Sequence, residues 1–208
     1  MSRPIDTMDD LRHGIACLGA LEKRFAAVHA ATGDPPLRRE AGGFASLIRM
    51  IVYQHVSLTS AGATWVRLEQ RTGAVSPSSI AALDEQALRD TGLTFAKARS
   101  CLAIAEQIVD GQFDLGALTA MDDGPARKAL IALPGIGPWT AELYLLTCLG
   151  RPDAWPGGDV ALRSAAQQVF ALPQRPDAAA MEVLAEPWRP WRAVAARLLW
   201  SYYRHAGV

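Results

Sequence analysis

The sequence has few of the residue patterns that mark metalloproteins and disulfide-stabilised proteins. Its three cysteines, Cys17, Cys101 and Cys148, are far apart and odd in number, which predicts neither a disulfide framework nor a cysteine-ligated metal site. Its four histidines form no H-x-x-x-H pair, so a zinc or iron centre held by side chains is not expected. Any bound metal would therefore be held by main-chain oxygens.

Long apolar runs are also missing. No window reaches the roughly 18 uninterrupted apolar residues of a membrane-spanning helix, and residues 1–10 lack the apolar core of a signal peptide. The hydrophobic class nevertheless makes up 50% of the chain, which is enough for a packed core. We therefore expect a folded cytoplasmic protein that does not bind membranes.

The chain has no excess of basic charge, although many nucleic-acid-binding proteins carry one. The 21 Lys and Arg residues are balanced by 21 Asp and Glu residues. All the basic residues except Lys23, Lys97 and Lys128 are arginine, whose planar fork suits phosphate. If DNA is bound, the contact should be small and made in part by backbone amides.

Strand patterns are absent as well. Apolar residues recur at intervals of three and four, and no stretch alternates with period two between hairpin turns. This periodicity predicts an all-α fold of roughly ten helices with short connections. Thr7 is expected to cap a first helix that ends at Gly33, and Thr94 is expected to cap another. Pro138 is predicted to open a helix, because its missing N–H costs nothing at that position.

The segment LPGIGP, residues 133–138, joins two predicted helices. Gly135 and Gly137 can adopt backbone angles closed to other residues, so the segment predicts a tight hairpin. Amides of this turn and of the following helix start, at Gly135, Ile136, Gly137 and Thr140, would then point outward and bind a phosphate oxygen. A plain helical corner with glycine chosen for packing would have the same spacing.

A single carboxylate, Asp159, follows Pro156-Gly157-Gly158 and precedes a helical run. Aspartate is among the best N-cap residues, which is a sufficient structural reason for its presence. A carboxylate at a helix N-terminus that faces a cleft can also stabilise a developing cation. In cleavage of an N-glycosidic bond, that cation is the sugar oxocarbenium ion.

The segment LIALPGIGPWTAELYLLTCLGRPDAWPGGDVAL, residues 130–162, resembles the hairpin, loop and aspartate that define the helix-hairpin-helix DNA glycosylase superfamily. The chain is most similar to the alkylpurine (3-methyladenine) DNA glycosylase II branch. FASLIRMIVYQHVSLTSA, GLTFAKARSCLAIAEQI and WRPWRAVAARLLWSYY resemble that branch in order and spacing. The resemblance therefore covers nearly the whole chain from Phe44.

The resemblance implies two helical lobes with an active-site cleft between them. One lobe would comprise residues 44–148, and the other residues 1–43 with 149–208. The implied activity is that of a monofunctional glycosylase that flips alkylated purines such as 3-methyladenine and 7-methylguanine and hydrolyses their N-glycosidic bonds. The implied enzyme acts on double-stranded DNA as a monomer and requires no cofactor.

The resemblance also assigns residues to the active site. Asp159 falls on the family's catalytic aspartate, while Trp139, Leu143 and Trp200 fall on the base pocket. Trp139 also stands where members with lyase activity carry a lysine nucleophile, so no Schiff base would form at this position. The face of an indole ring suits a cationic alkylated purine because of cation–π attraction.

Further residues are implied to contact DNA. Gln54 and His55 fall at the corner that the family inserts into the duplex, where a wedge fills the gap left by the flipped nucleotide. Main-chain oxygens near Ile131, Leu133 and Ile136 are implied to hold a sodium or potassium ion that helps to anchor a phosphate.

Two positions depart from the family pattern. Gly158 replaces a residue that is often acidic, and Leu143 replaces one that is sometimes aromatic, so both bear on which lesions fit. Two alternatives stay open: a non-catalytic helix-hairpin-helix module that binds bent or damaged DNA, and a glycosylase of different lesion specificity, such as a glycosylase/lyase acting on oxidised bases.

Overall fold

The computed structural model describes residues 3–207, and all regular secondary structure in this range is helical, with no strand. The helices are α1 Met8–Leu21, α2 Lys23–Thr32, α3 Gly43–Tyr53, α4 Leu58–Thr72, α5 Pro77–Ala81, α6 Glu85–Asp90, α7 Phe95–Val109, α8 Asp123–Ile131, α9 Pro138–Thr147, α10 Val160–Val169, α11 Ala178–Ala185 and α12 Arg192–Ala206. Short 3₁₀ turns cover Gly116–Thr119 and Glu186–Trp188. The predicted all-α fold is confirmed.

The chain divides into two compact units. One contains residues 40–141, and the other contains the chain up to Arg39 and from Glu142 onward. The division falls within α9. The lobe boundaries at residues 44 and 148, and the cleft, stay predictions.

The single first helix that we predicted is wrong, because α1 and α2 are separate. Thr7 does cap α1, with a capping box to Asp10, but the helix ends at Leu21. Glu22 is extended, at φ −142° and ψ 103°, and its carboxylate accepts the amide of Arg24 to begin α2. The apolar periodicity continues across the break, so it does not reveal a cap made by one residue.

In the unit that carries the chain ends, α12 is the central helix. It packs against α10, α2 and α1, and every residue from Arg192 to Ser201 is buried. Trp188, just before α12, contacts Phe25 and Phe170 with ring centroids 4.9 and 5.2 Å away. Such aromatic pairs add to the stabilisation from area burial.

The guanidinium of Arg197 on α12 is 1% exposed and is satisfied by main-chain oxygens. It donates from Nε to the oxygen of Leu37 at 2.8 Å and from Nη2 to that of Leu146 at 3.3 Å. Burial, together with the charges of Arg39 and Arg38, lowers the pKa of Arg197 to about 9. The group is still cationic at neutral pH and fixes the backbone at Leu37.

In the unit of residues 40–141, α7 packs against α3, α5 and α6, while α3 also packs against α4. The apolar face of α3 buries Leu47, Ile48 and Ile51 completely. Cys101 on α7 is equally buried, which raises the pKa of its thiol to about 12. None of the helices described is long and apolar enough to span a membrane.

Candidate active site and hairpin

Asp159 is the N-cap of α10, as its position after two glycines suggested. Its Oδ1 accepts the amide of Leu162 at 3.0 Å and the indole Nε1–H of Trp200 at 3.2 Å. Both donors stabilise the negative charge of the carboxylate. The carboxylate is half-buried, and α10 and α12 hold it and Trp200 in one arrangement.

The loop of residues 150–158 that precedes Asp159 is tied to buried side chains. Arg192 on α12 donates from Nε and Nη2 to the two carboxylate oxygens of Asp153, each at 2.8 Å. Glu142 on α9 accepts the amide of Trp155 at 2.8 Å. We predicted no role for these anchors from the sequence, because they join residues far apart along the chain.

The two hairpin glycines differ. Gly135 has φ 77°, and a Cβ atom there would lie 2.5 Å from Oγ of Ser100 on α7. Gly137 has no positive φ, and a Cβ atom there would meet nothing within 4 Å. Our prediction that both glycines adopt angles closed to other residues therefore holds for Gly135 and is wrong for Gly137.

The predicted phosphate-binding groups all lie in the hairpin or the first turn of α9. The first turn of a helix leaves N–H groups without intrahelical partners, and Pro138 has none to offer. Of the predicted donors, Gly137 and Thr140 stand at the N-terminus of α9, the positive end of the helix dipole. The side chain of Ile136 is buried, and its amide donates to the oxygen of Leu133 at 3.2 Å, so this predicted donor is engaged within the hairpin.

The residues predicted to form the DNA wedge have different environments. Gln54 ends α3, and its Nε2 donates to the oxygen of Gly135 at 3.1 Å and to Oγ1 of Thr140 at 2.9 Å. His55 is exposed and has φ 54°, a region that histidine tolerates better than most residues. Gln54 thus links the corner to the hairpin, while His55 is presented to solvent.

The remaining predicted pocket residues are aromatic or apolar. Trp139 and Leu143 lie four residues apart on α9, and therefore on one face of that helix; both are half-buried. Trp200 is 7% exposed, and the guanidinium of Arg38 lies over its ring with Cζ 4.7 Å from the centroid.

Residues 48–190 match the family model of the HhH-GPD superfamily base excision DNA repair protein. The chain belongs to this superfamily. It is 32% identical over 180 residues to the putative DNA-3-methyladenine glycosylase YfjP of Bacillus subtilis, covering 83% of this chain and 62% of that protein. It is 28% identical to DNA-3-methyladenine glycosylase 2 of Escherichia coli, covering 74% of this chain and 55% of that one. The predicted resemblance to the alkylpurine branch is confirmed.

Solved structures share the fold of this chain. The crystal structure of DNA-3-methyladenine glycosidase from Bacillus halodurans superposes with a TM-score of 0.82 at 26% identity, covering 97% of this chain and 91% of that one. The 3-methyladenine DNA glycosylase Mag1 of Schizosaccharomyces pombe, in complex with abasic DNA, shares the fold with a TM-score of 0.82 at 24% identity, covering 90% and 95%. The chain spans 62% of the Bacillus subtilis relative and 42% of a Mycobacterium tuberculosis relative.

One residue that supports the predicted wedge corner escaped prediction from the sequence. Lys97 on α7 donates from Nζ to the oxygens of Val52 at 2.9 Å and of Gln54 at 2.7 Å. Burial lowers the pKa of Lys97. A cation at these carbonyls stabilises the C-terminus of α3 and holds the corner from which His55 projects.

The hairpin oxygens fit the chemistry of a weakly bound monovalent cation. In the described part of the chain, no group of three or more His, Cys, Asp or Glu side chains could hold a metal ion. The oxygen of Leu133 accepts the amide of Ile136 at 3.2 Å, which leaves it a second lone pair. Carbonyl oxygens of Ile131, Leu133 and Ile136 would be hard, uncharged ligands. The ion stays a prediction.

Proposed function

We propose that this protein is a monofunctional DNA glycosylase that removes alkylated purines, 3-methyladenine and 7-methylguanine, from double-stranded DNA in base excision repair. The observation that supports it best is the hydrogen bond from Trp200 to Asp159, which holds the half-buried carboxylate at the start of α10 against a buried indole. Membership of the HhH-GPD superfamily and the names of the relatives support the same substrate class.

The chemistry that we propose breaks the bond between C1′ of the sugar and the purine nitrogen. The leaving base takes the bonding electrons and becomes neutral, because alkylation has already made it cationic. The carboxylate of Asp159 stabilises the oxocarbenium charge that develops on the sugar. Water then adds its oxygen to C1′, and its proton passes to Asp159 or to solvent.

Hydrolysis without strand cleavage follows from the residue at position 139. A lyase step needs an amine that attacks C1′ and forms a Schiff base. An indole cannot do so, and Trp139 occupies the position where lyase members carry lysine. We therefore propose that water is the only nucleophile.

We propose that DNA binding relies on backbone amides and not on net positive charge. The amides of Gly137 and Thr140 would donate to a phosphate oxygen at the N-terminus of α9, aided by a sodium or potassium ion at the neighbouring carbonyl oxygens. His55 would enter the duplex when the damaged nucleotide leaves the stack, offsetting part of the few kcal/mol that flipping costs.

The proposal is tested by release of bases from methylated duplex DNA under single-turnover conditions. Wild-type protein should release 3-methyladenine and 7-methylguanine, and Asp159→Asn should release them at least about 100-fold more slowly while still binding DNA. Wild-type protein that binds DNA and releases no base would favour the non-catalytic module. Release of other bases alone would favour a different lesion specificity.

Two further measurements test the finer parts of the proposal. Borohydride added during turnover should trap no covalent complex with DNA, and a trapped complex would establish a lyase. Size-exclusion chromatography with light scattering should show a monomer, both free and bound to a short duplex.

A further inference from the structure

Arg38, in the segment between α2 and α3, covers the proposed base-stacking surface. Its Cζ lies 4.7 Å from the ring centroid of Trp200, whose indole N–H donates to Asp159. Trp200 is 7% exposed, so a base cannot stack on its ring until a covering group moves. The three residues Arg38, Trp200 and Asp159 are called the Arg38 cluster below.

The backbone around Arg38 is held in an unfavourable conformation. Arg38 has φ 53°, a region that costs energy for a residue with a side chain. On one side, Leu37 is fixed by the buried guanidinium of Arg197 at 2.8 Å. On the other side, Arg39 forms an ion pair with Asp6 at 2.9 Å. The neighbouring contacts therefore impose the conformation that directs Arg38 towards the ring.

The charge of Arg38 interacts with the proposed catalytic carboxylate of Asp159, but the side chain of Arg38 is free to change its conformation. The residue remains exposed to solvent, so its side chain can move away. Partial burial lowers the pKa of Arg38, and the charge of Arg204 lowers it as well, whereas the charge of Asp159 acts in the opposite direction. The cluster thus holds one planar, delocalised cation on an indole face, close to a carboxylate.

A guanidinium and an alkylated purine nucleoside share the properties that suit this position. Both are flat, both carry a delocalised positive charge, and both gain from stacking on an indole. We propose that Arg38 is a placeholder that occupies the ring of Trp200 in the free protein and withdraws when a flipped alkylated base takes its place. This inference rests on the proposed function, because it requires the base to stack on Trp200.

The placeholder lowers the apparent affinity for every base. A base must displace Arg38 before it stacks. The apparent Kd for the base is therefore its intrinsic Kd divided by the fraction of protein in which the ring is uncovered. The penalty is equal for cationic and neutral bases. Its effect is to keep weakly bound normal bases out of the site, while alkylated bases still enter.

The test compares Arg38→Asn with wild-type protein. Asparagine tolerates a positive φ and is too short to reach the ring. The second-order rate constant for release of 7-methylguanine from methylated duplex DNA should rise about two- to thirty-fold, the range that corresponds to one cation–π contact. Arg38→Lys should lie between the two, because an ammonium also binds an indole face.

Two controls make the result specific. Arg24 stacks on Phe170 at 4.4 Å in the same unit, outside the Arg38 cluster, so Arg24→Ala should leave the rate constant unchanged. Binding of a duplex with a tetrahydrofuran abasic site should be equal for Arg38→Asn and wild type, since no base competes with Arg38. Weaker binding of that duplex by Arg38→Asn would show that Arg38 contacts the DNA backbone, and the placeholder role would then be wrong.

The outcomes separate this inference from the proposed function. If wild type releases 7-methylguanine and Arg38→Asn releases it no faster, the placeholder is wrong and the glycosylase stands. If wild type releases no alkylated base, both are wrong.

Discussion

Replacing Gly135 by alanine should destabilise the protein, whereas replacing Gly137 should not. The added methyl at position 135 meets two obstacles. Its backbone has φ 77°, and the new Cβ would lie 2.5 Å from Oγ and 2.8 Å from Cβ of Ser100. At position 137 the φ is not positive, and the space around the new methyl is open.

The magnitude follows from these contacts. A left-handed conformation costs a residue with a side chain about 1–2 kcal/mol, and forcing a methyl into a filled space costs about 1–3 kcal/mol. Restricting the unfolded chain offsets about 0.4–1 kcal/mol of this cost. Gly135→Ala should therefore lower the free energy of unfolding by about 3 kcal/mol. Gly137→Ala only restricts the unfolded chain, so its stability should be unchanged or slightly increased.

The assay is urea and thermal unfolding of both variants beside wild type, followed by DNA binding. A loss of 3 kcal/mol corresponds to a fall in Tm of about 6–12 °C for a chain of this length. Gly137→Ala should keep its Tm but bind duplex DNA more weakly, because the methyl lies where the phosphate would approach the amides. Weaker DNA binding by Gly137→Ala with an unchanged Tm would show that the methyl disturbs the DNA contact and not the fold.

Ser100→Ala provides an internal check. It removes the Oγ atom that would lie 2.5 Å from the new Cβ at position 135 and leaves Cβ of Ser100 at 2.8 Å. In the Gly135→Ala background it should therefore restore about 1 kcal/mol of the lost free energy of unfolding. In wild type it should change the free energy of unfolding little. A fall in the free energy of unfolding of less than about 0.5 kcal/mol for Gly135→Ala, a typical value for an unobstructed surface change, would contradict the predicted clash. Equal instability of the two glycine variants would contradict it as well.

Three further predictions concern the site and its supports. Asp159→Asn should keep the cap and the stability, whereas Asp159→Ala should lose about 1 kcal/mol or more of free energy of unfolding; equal stability of Asp159→Ala and wild type in urea would contradict the cap. Asp177 is the N-cap of α11 and accepts the amide of Ala180, so the control Asp177→Ala should lose a similar amount and retain base release. Arg192→Met should lose about 1–3 kcal/mol of free energy of unfolding, because the largely buried Asp153 loses its bonds to Arg192 and keeps its ion pair with Arg189. The additional change Asp153→Leu should restore part of this loss, and no recovery would argue against the ion pair. His55→Ala should weaken binding to lesion-containing duplex without changing the single-turnover rate at saturating protein, and an equal loss in that rate would exclude the wedge role.

Local signals in the sequence determined the class of fold and several helix ends. Apolar spacing of three and four predicted helices, and Thr94 caps α7 as expected, accepting the amide of Lys97 at 3.4 Å. The hairpin and Asp159 were also found from local order: a glycine-rich turn between helices, and a carboxylate directly before a helix. Such features depend on residues within a few positions of one another, so periodicity and caps reveal them.

The tertiary structure alone decided what these residues contact. Asp159 and Trp200 are 41 residues apart along the chain, and Gln54 reaches Thr140 across 86 residues. The need for glycine at 135 arises from Ser100 on another helix. No local pattern encodes such pairs, because each depends on how helices pack. The sequence therefore determined which groups the site contains, and packing determined which of them carry structural contacts and which stay available for DNA.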